Sequence, residues 1–167
     1  MPSNRRQSPH AAHRGCPERL HGRGTTFIEL LAVILIVGVL AAIAMPSYRS
    51  FVLRAGRAEA RAALFALATA EEKLYLQCHT YTTVLDPSNA TACSPVTLRF
   101  PLASERGYYS IAVASADTES WAATATRVSG TPQSADTKCR VFSLTSVGVK
   151  QAFDDSQAAT DRKCWDR

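Results

Sequence analysis

Sixteen consecutive residues, Leu30–Met45, carry no charged or polar side chain, and this run limits what the chain can be. Counted from Phe27 the stretch reaches nineteen residues, with Glu29 its one interruption. About twenty apolar residues cross the hydrocarbon core of a bilayer as a helix, so residues 27–45 read as a transmembrane segment in a lipid bilayer. Basic residues precede the run, which keeps the N-terminus cytoplasmic and sends the remainder across the membrane. A secretory signal peptide is the competing reading: Ala42-Ile43-Ala44 matches its cleavage site, and release would leave a domain starting at Met45. Against it stand Glu29 inside the run, the length of the run, and a helical pattern that continues past Pro46.

That continuation shapes the fold. Pro46 removes one backbone donor and frees the carbonyl of Ala42, a kink rather than an end. Residues 47–77 are rich in alanine and good helix formers, without a further proline. Arg54, Arg57 and Arg61 recur at helical steps and mark a polar face; Val52, Ala60, Leu64, Leu67 and Leu74 mark an apolar one. One helix over about Thr26–Gln77 is expected, with Thr26 and Glu29 forming a capping box at its start. Residues 78–106, with Pro87, Pro95 and Pro101, read as a long αβ connection. Strands are expected at Gly107–Ser115, Ser120–Val128 and Cys139–Thr145, with a short fourth after Gly148, giving a sheet over 107–152. Tyr109, Ile111 and Val113 share one face, Phe142 and Leu144 another. The fold class is therefore α+β: a long N-terminal helix packed on a small antiparallel sheet of three or four strands.

The net charge of +5 hints at nucleic acid, but the tail supplies most of it. Residues 1–24 hold five arginines against Glu18, and the remainder holds 14 basic and 13 acidic side chains. Cys16 lies in that tail; Cys78, Cys93, Cys139 and Cys164 lie beyond the apolar run. An even set on one side of a membrane segment points to two disulfides in an oxidising compartment, with three pairings open. CxxC spacing is lacking and His79 is the one nearby imidazole, so no metal or other cofactor is expected.

The boundary reads Gly24-Thr-Thr-Phe-Ile-Glu29-Leu-Leu-Ala-Val-Ile. This resembles the prepilin cleavage and methylation motif of type IV pilins, although Thr25 stands where phenylalanine or methionine is usual. Gly38 and Pro46 fall where that family weakens its helix, and Pro46-Ser47-Tyr48 matches a common P-x-Y. Residues 107–167 are similar to minor pilins of the PilE kind: a Tyr-Tyr strand, Asp136-x-x-Cys139, Gly148-x-Lys150 and a closing Cys164-Trp165. The resemblance implies a type IV pilin fold. It also implies a leader over 1–24 removed by a prepilin peptidase between Gly24 and Thr25, with N-methylation of Thr25. The helix would cover 25–77 and the globular head 78–167, with a C-terminal disulfide region at 139–164. Glu29 would pair with the new amine of a neighbouring subunit during assembly. Implied partners are other pilin subunits and the inner-membrane pilus assembly machinery, and the roles are motility, adhesion or DNA uptake in an extracellular pilus. The disulfides expected are Cys78–Cys93, closing a short loop, and Cys139–Cys164.

Two relatives of that reading remain: a type II secretion pseudopilin, and a DNA-binding minor pilin. For the second, Lys138 and Arg140 flank Cys139, and Arg162 and Lys163 precede Cys164, so a bond between the cysteines would gather four bases. Against it, residues 78–167 hold nine basic and nine acidic side chains, leaving no overall field for a phosphate backbone. Catalysis is not expected: no nucleophile elbow, phosphate loop or ligand cluster is present, and Asp154-Asp155 read as solvated.

Overall fold

The computed structural model describes residues 25–166. Residues 1–24, with Cys16 and Gly24, lie outside them. The chain forms two units, one running to Leu40 and one from Ala41 onward. One α-helix, α1 (Phe27–Cys78), belongs to both and keeps Pro46 inside it. In the first unit every described residue to Leu40 is exposed, and the backbone carbonyl of Thr26 accepts the N–H groups of Glu29 and Leu30 at 3.0 and 3.2 Å. Alone among the described helices, α1 is long and apolar enough to cross a membrane.

In the second unit α1 turns one stripe toward a four-stranded sheet: Gly56, Ala60, Leu64, Leu67, Glu71 and Leu74 are buried. Ala60, Leu64, Leu67 and Leu74, at steps of four, three and seven, keep that stripe on one side of the helix. After α1 comes a two-residue hairpin, β1 (Ala92–Cys93) with β2 (Val96–Thr97). The sheet follows as β3 (Tyr109–Ala116), β4 (Trp121–Arg127), β5 (Val141–Thr145) and β6 (Lys150–Phe153), in sequence order and antiparallel throughout. The expected α+β class is met, and the helix is the sheet's partner.

Alternation decides which side of each strand is dry. Tyr109, Ile111 and Val113 face inward from β3, Trp121, Ala123 and Ala125 from β4, and Phe142 and Leu144 from β5. The register pairs Ile111 with Ala125, Ala125 with Phe142 and Phe142 with Ala152, so these side chains share one face. The reading that gave Phe142 and Leu144 a face apart from Tyr109 is thus corrected: with one-to-one antiparallel pairing, partners project to the same side. Phe142 stands edge-on between Tyr109 and Trp165, at 5.6 Å from each ring. The alanines of β4 leave room over the middle of the sheet for the leucines of α1.

The link between β4 and β5 holds a 3-10 turn, Pro132–Ala135, and the chain closes with a short helix, α2 (Asp161–Trp165). Neither shows in the sequence pattern, because both are under two turns, too short for hydrophobic periodicity to register. Gly148 takes φ +79° in the β5–β6 turn, the left-handed region that a side chain disfavours.

Candidate functional site

The helix and the sheet meet the C-terminal disulfide at one edge. Cys139 and Cys164 are bonded, with Cα atoms 5.8 Å apart and both residues buried. Thr160 ties the two segments further: its hydroxyl donates to the Lys138 carbonyl at 2.9 Å, and its own carbonyl accepts the Lys163 N–H at 3.0 Å. Arg140 is set beside them by the sheet, its N–H on the Phe153 carbonyl at 2.8 Å. The edge therefore brings Lys138, Arg140 and Lys163 together as exposed side chains. Arg162 lies in α2, and its side chain is outside the described residues.

What makes this edge basic is the use made of its acids. Asp136 is buried and held by Arg57 of α1, Nε to Oδ2 at 2.6 Å and Nη2 to Oδ1 at 2.8 Å. Asp155 pairs with Arg127 at 3.2 Å. Asp161 accepts the Ala152 N–H. Asp154 accepts the Ser156 hydroxyl and the N–H groups of Ala158 and Ser156, which together hold its carboxyl below the usual range. Asp154 and Asp155 stay at the solvent surface, as read from the sequence, with these bonds fixing their carboxylates. Among the described residues no carboxylate lies within ion-pair reach of Lys138, Arg140 or Lys163.

The polar face drawn through Arg54, Arg57 and Arg61 is also corrected. Arg54 is exposed, but Arg57 is largely buried on Asp136, and Arg61 reaches the Trp165 carbonyl at 2.5 Å. The bonds to Asp136 come first among the influences that raise the Arg57 pKa. Sequence spacing registers charge, not the acid 79 residues away that draws it inward.

Behind the edge lies a buried polar network. Gln133 donates to the Leu53 carbonyl at 3.3 Å, to Asp136 Oδ2 at 3.0 Å and to the Tyr109 hydroxyl at 3.2 Å; that hydroxyl in turn donates to the Cys139 carbonyl at 3.1 Å. Burial first, and then the Asp136 charge, push the Tyr109 pKa up and keep the phenol a donor. Gly56 admits this network: a Cβ there would lie 2.7 Å from Gln133 Cδ. Sequence patterning marks neither Gly56 nor Gln133.

The other disulfide, Cys78–Cys93 with Cα atoms 5.3 Å apart, ties the end of α1 to β1. Earlier on α1, Glu71 is fully buried, with one oxygen accepting the Thr82 N–H at 3.3 Å and the other, among the described residues, without a partner. Glu29, Gly38 and Pro46 lie on exposed helix, and Thr25 is exposed just ahead of it. Among the described residues no group of His, Cys, Asp and Glu is placed to hold a metal ion.

Relatives of the chain are found among pilus proteins. The family described as type IV minor pilin ComP, DNA uptake sequence receptor, matches residues 46–143, more than half of the chain. The type IV major pilin protein PilA of Myxococcus xanthus (strain DK1622) is 42% identical over 59 residues, 35% of this chain and 27% of that protein. The fimbrial protein EcpC of Eikenella corrodens is 53% identical over 38 residues, 23% of this chain and 25% of that protein. A fimbrial protein of Moraxella nonliquefaciens matches to the same extent. The chain thus aligns with about a quarter of the length of these curated relatives.

Proposed function

The chain belongs to the type IV minor pilin ComP family, and from that premise we propose that it is a pilus subunit whose head binds DNA during uptake. The family is described as a DNA uptake sequence receptor, and the observation that carries the reading to this chain is the basic edge. Among the described residues, Lys138, Arg140 and Lys163 are exposed with no carboxylate within ion-pair reach, while Asp136 and Asp155 are ion-paired and Asp154 and Asp161 accept hydrogen bonds within the head. Equal counts of acids and bases over 78–167 therefore do not mean an even surface. A phosphate backbone responds to the local set of unpaired cations rather than to the sum.

The remaining parts of the reading concern biogenesis. A prepilin peptidase cuts between Gly24 and Thr25, and Thr25 is N-methylated. The helix anchors the subunit in the inner membrane until the assembly machinery draws it into a pilus beside other pilin subunits. Glu29 sits in apolar helix and is accommodated by the terminal amine of a neighbour, because a lone carboxylate costs roughly 2.5–3.5 kcal/mol in lipid. The subunit carries out no chemistry of its own.

The test is DNA retention by the full chain in detergent micelles, across a range of salt. Lys138→Ala/Arg140→Ala/Lys163→Ala should weaken binding and reduce the slope of log affinity against log salt by roughly 2 to 3, about 0.9 for each phosphate that is no longer neutralised. An unchanged slope would remove this edge from the interface.

A further inference from the structure

At the other end of β5 the head carries an open groove of about 500 Å3 that DNA binding leaves unused. Phe65, Tyr81 and Trp121 line it together with two carboxylates, Glu72 and Glu119. Glu72 is fixed there by neutral donors: its Oε1 accepts from the Tyr81 hydroxyl at 3.2 Å and from Trp121 Nε1 at 3.4 Å. Among the described residues no cation lies within ion-pair reach of Glu72 or Glu119. Val147, on the turn that rims the groove, is 82% exposed, an apolar lip left in water until something covers it. The Phe65 ring already carries one cation of this chain, Lys150 Nζ at 5.3 Å from its centroid. Aromatic walls with a carboxylate held against them fit an aliphatic stem that ends in a cation.

We propose that this groove receives lysine or arginine side chains from the Cys139–Cys164 edge of a second copy of the chain. Charge complementarity favours that occupant, because Lys138, Arg140 and Lys163 are exposed on one edge with, among the described residues, no carboxylate within ion-pair reach. Their placement favours it too. β5 begins beside Arg140 and ends at Thr145 in the groove, so the strand separates the two surfaces by about 16 Å. They face opposite ends of the sheet, and a contact between different patches of two copies repeats along a line instead of closing on itself. The inference rests on the DNA-binding reading in one respect only: both occupants use the same cations, so DNA and a second copy compete for them.

The test is zero-length carbodiimide cross-linking of isotope-labelled and unlabelled full chain, mixed in detergent micelles, followed by peptide mapping. Expected are mixed-label links from Glu72 or Glu119 to Lys138 or Lys163, and fewer of them when duplex DNA is added. Glu72→Gln/Glu119→Gln should weaken self-association about tenfold by sedimentation, with the far-UV circular dichroism of the wild type retained. Links within one copy only, links to other lysines, or unchanged self-association in a folded variant would each overturn the proposal. Mixed-label links that persist in excess DNA would leave it standing and count against the DNA reading.

Discussion

Arg57 of α1 grips Asp136 with two bonds, at 2.6 and 2.8 Å, across 79 residues of sequence. The pair fastens the helix to the segment that carries Gln133, Cys139 and the basic edge. Asp136 is almost wholly excluded from water, so the pair's value depends on both members being present.

Removing one member should therefore cost more than removing both. Asp136→Leu is expected to destabilise the head by about 3–5 kcal/mol, because it strands the Arg57 guanidinium. Arg57→Met/Asp136→Leu should be milder. Urea titration of the four chains of the double-mutant cycle reads the coupling, and additive losses would show that the pair does not hold the edge.

Gly56 makes a second, independent claim. Its missing side chain is the space that Gln133 fills, and Gln133 is committed by three hydrogen bonds. Gly56→Ala should gain helix propensity yet lose about 1–3 kcal/mol overall from overpacking. Gln133→Ala in the same chain should recover part of that loss, measured by thermal unfolding.

The stability of the head should also depend on pH. Burial, with the nearby Glu72 charge adding to it, pushes the Glu71 pKa up to about 7, despite the opposing Thr82 N–H. The folded head then binds a proton that the unfolded chain releases near the ordinary carboxyl value of 4.5. Glu71 thus contributes stability that is complete below about pH 4.5 and is lost as pH rises through about 7, roughly 3 kcal/mol in all. Glu71→Gln should flatten this part of the stability profile and make the head firmer at pH 8. A wild type whose stability is constant between pH 5 and 8 would show that the carboxyl finds a cation or water.

Loss of the Cys139–Cys164 bond should act on stability and function together. Its 25-residue separation corresponds to about 3.5 kcal/mol of loop-closure entropy. Cys139→Ser/Cys164→Ser should lower the melting temperature, and DNA retention should fall further than stability alone explains, because Lys138 and Lys163 lose their common anchor.

Much of this architecture is legible in the sequence, and the reasons are physical. The apolar run, the helical stripe of Leu64, Leu67 and Leu74 and the alternation in β3 to β5 are local patterns with fixed periods, and they place the helix and the sheet. Arg57, Gln133 and Gly56 escape such patterns because their partners lie far along the chain. A buried guanidinium and a solvated one have the same one-dimensional pattern. The gathering of Lys138 and Lys163 is open to sequence through their cysteines. That their neighbouring acids are engaged elsewhere appears only once Arg127 and Arg57 have been placed.

As a member of the pilin family, the chain is expected to be processed after Gly24 and carried into a filament through its helix. The direct measurement is N-terminal sequencing and immunodetection of the chain in pili sheared from cells, with wild type compared against Glu29→Ala. A mature chain that begins at Thr25 is expected in the pilus fraction, and a Glu29→Ala chain is expected to stay in the membrane. A chain that begins at Met45 and stays soluble, absent from sheared pili, would contradict it.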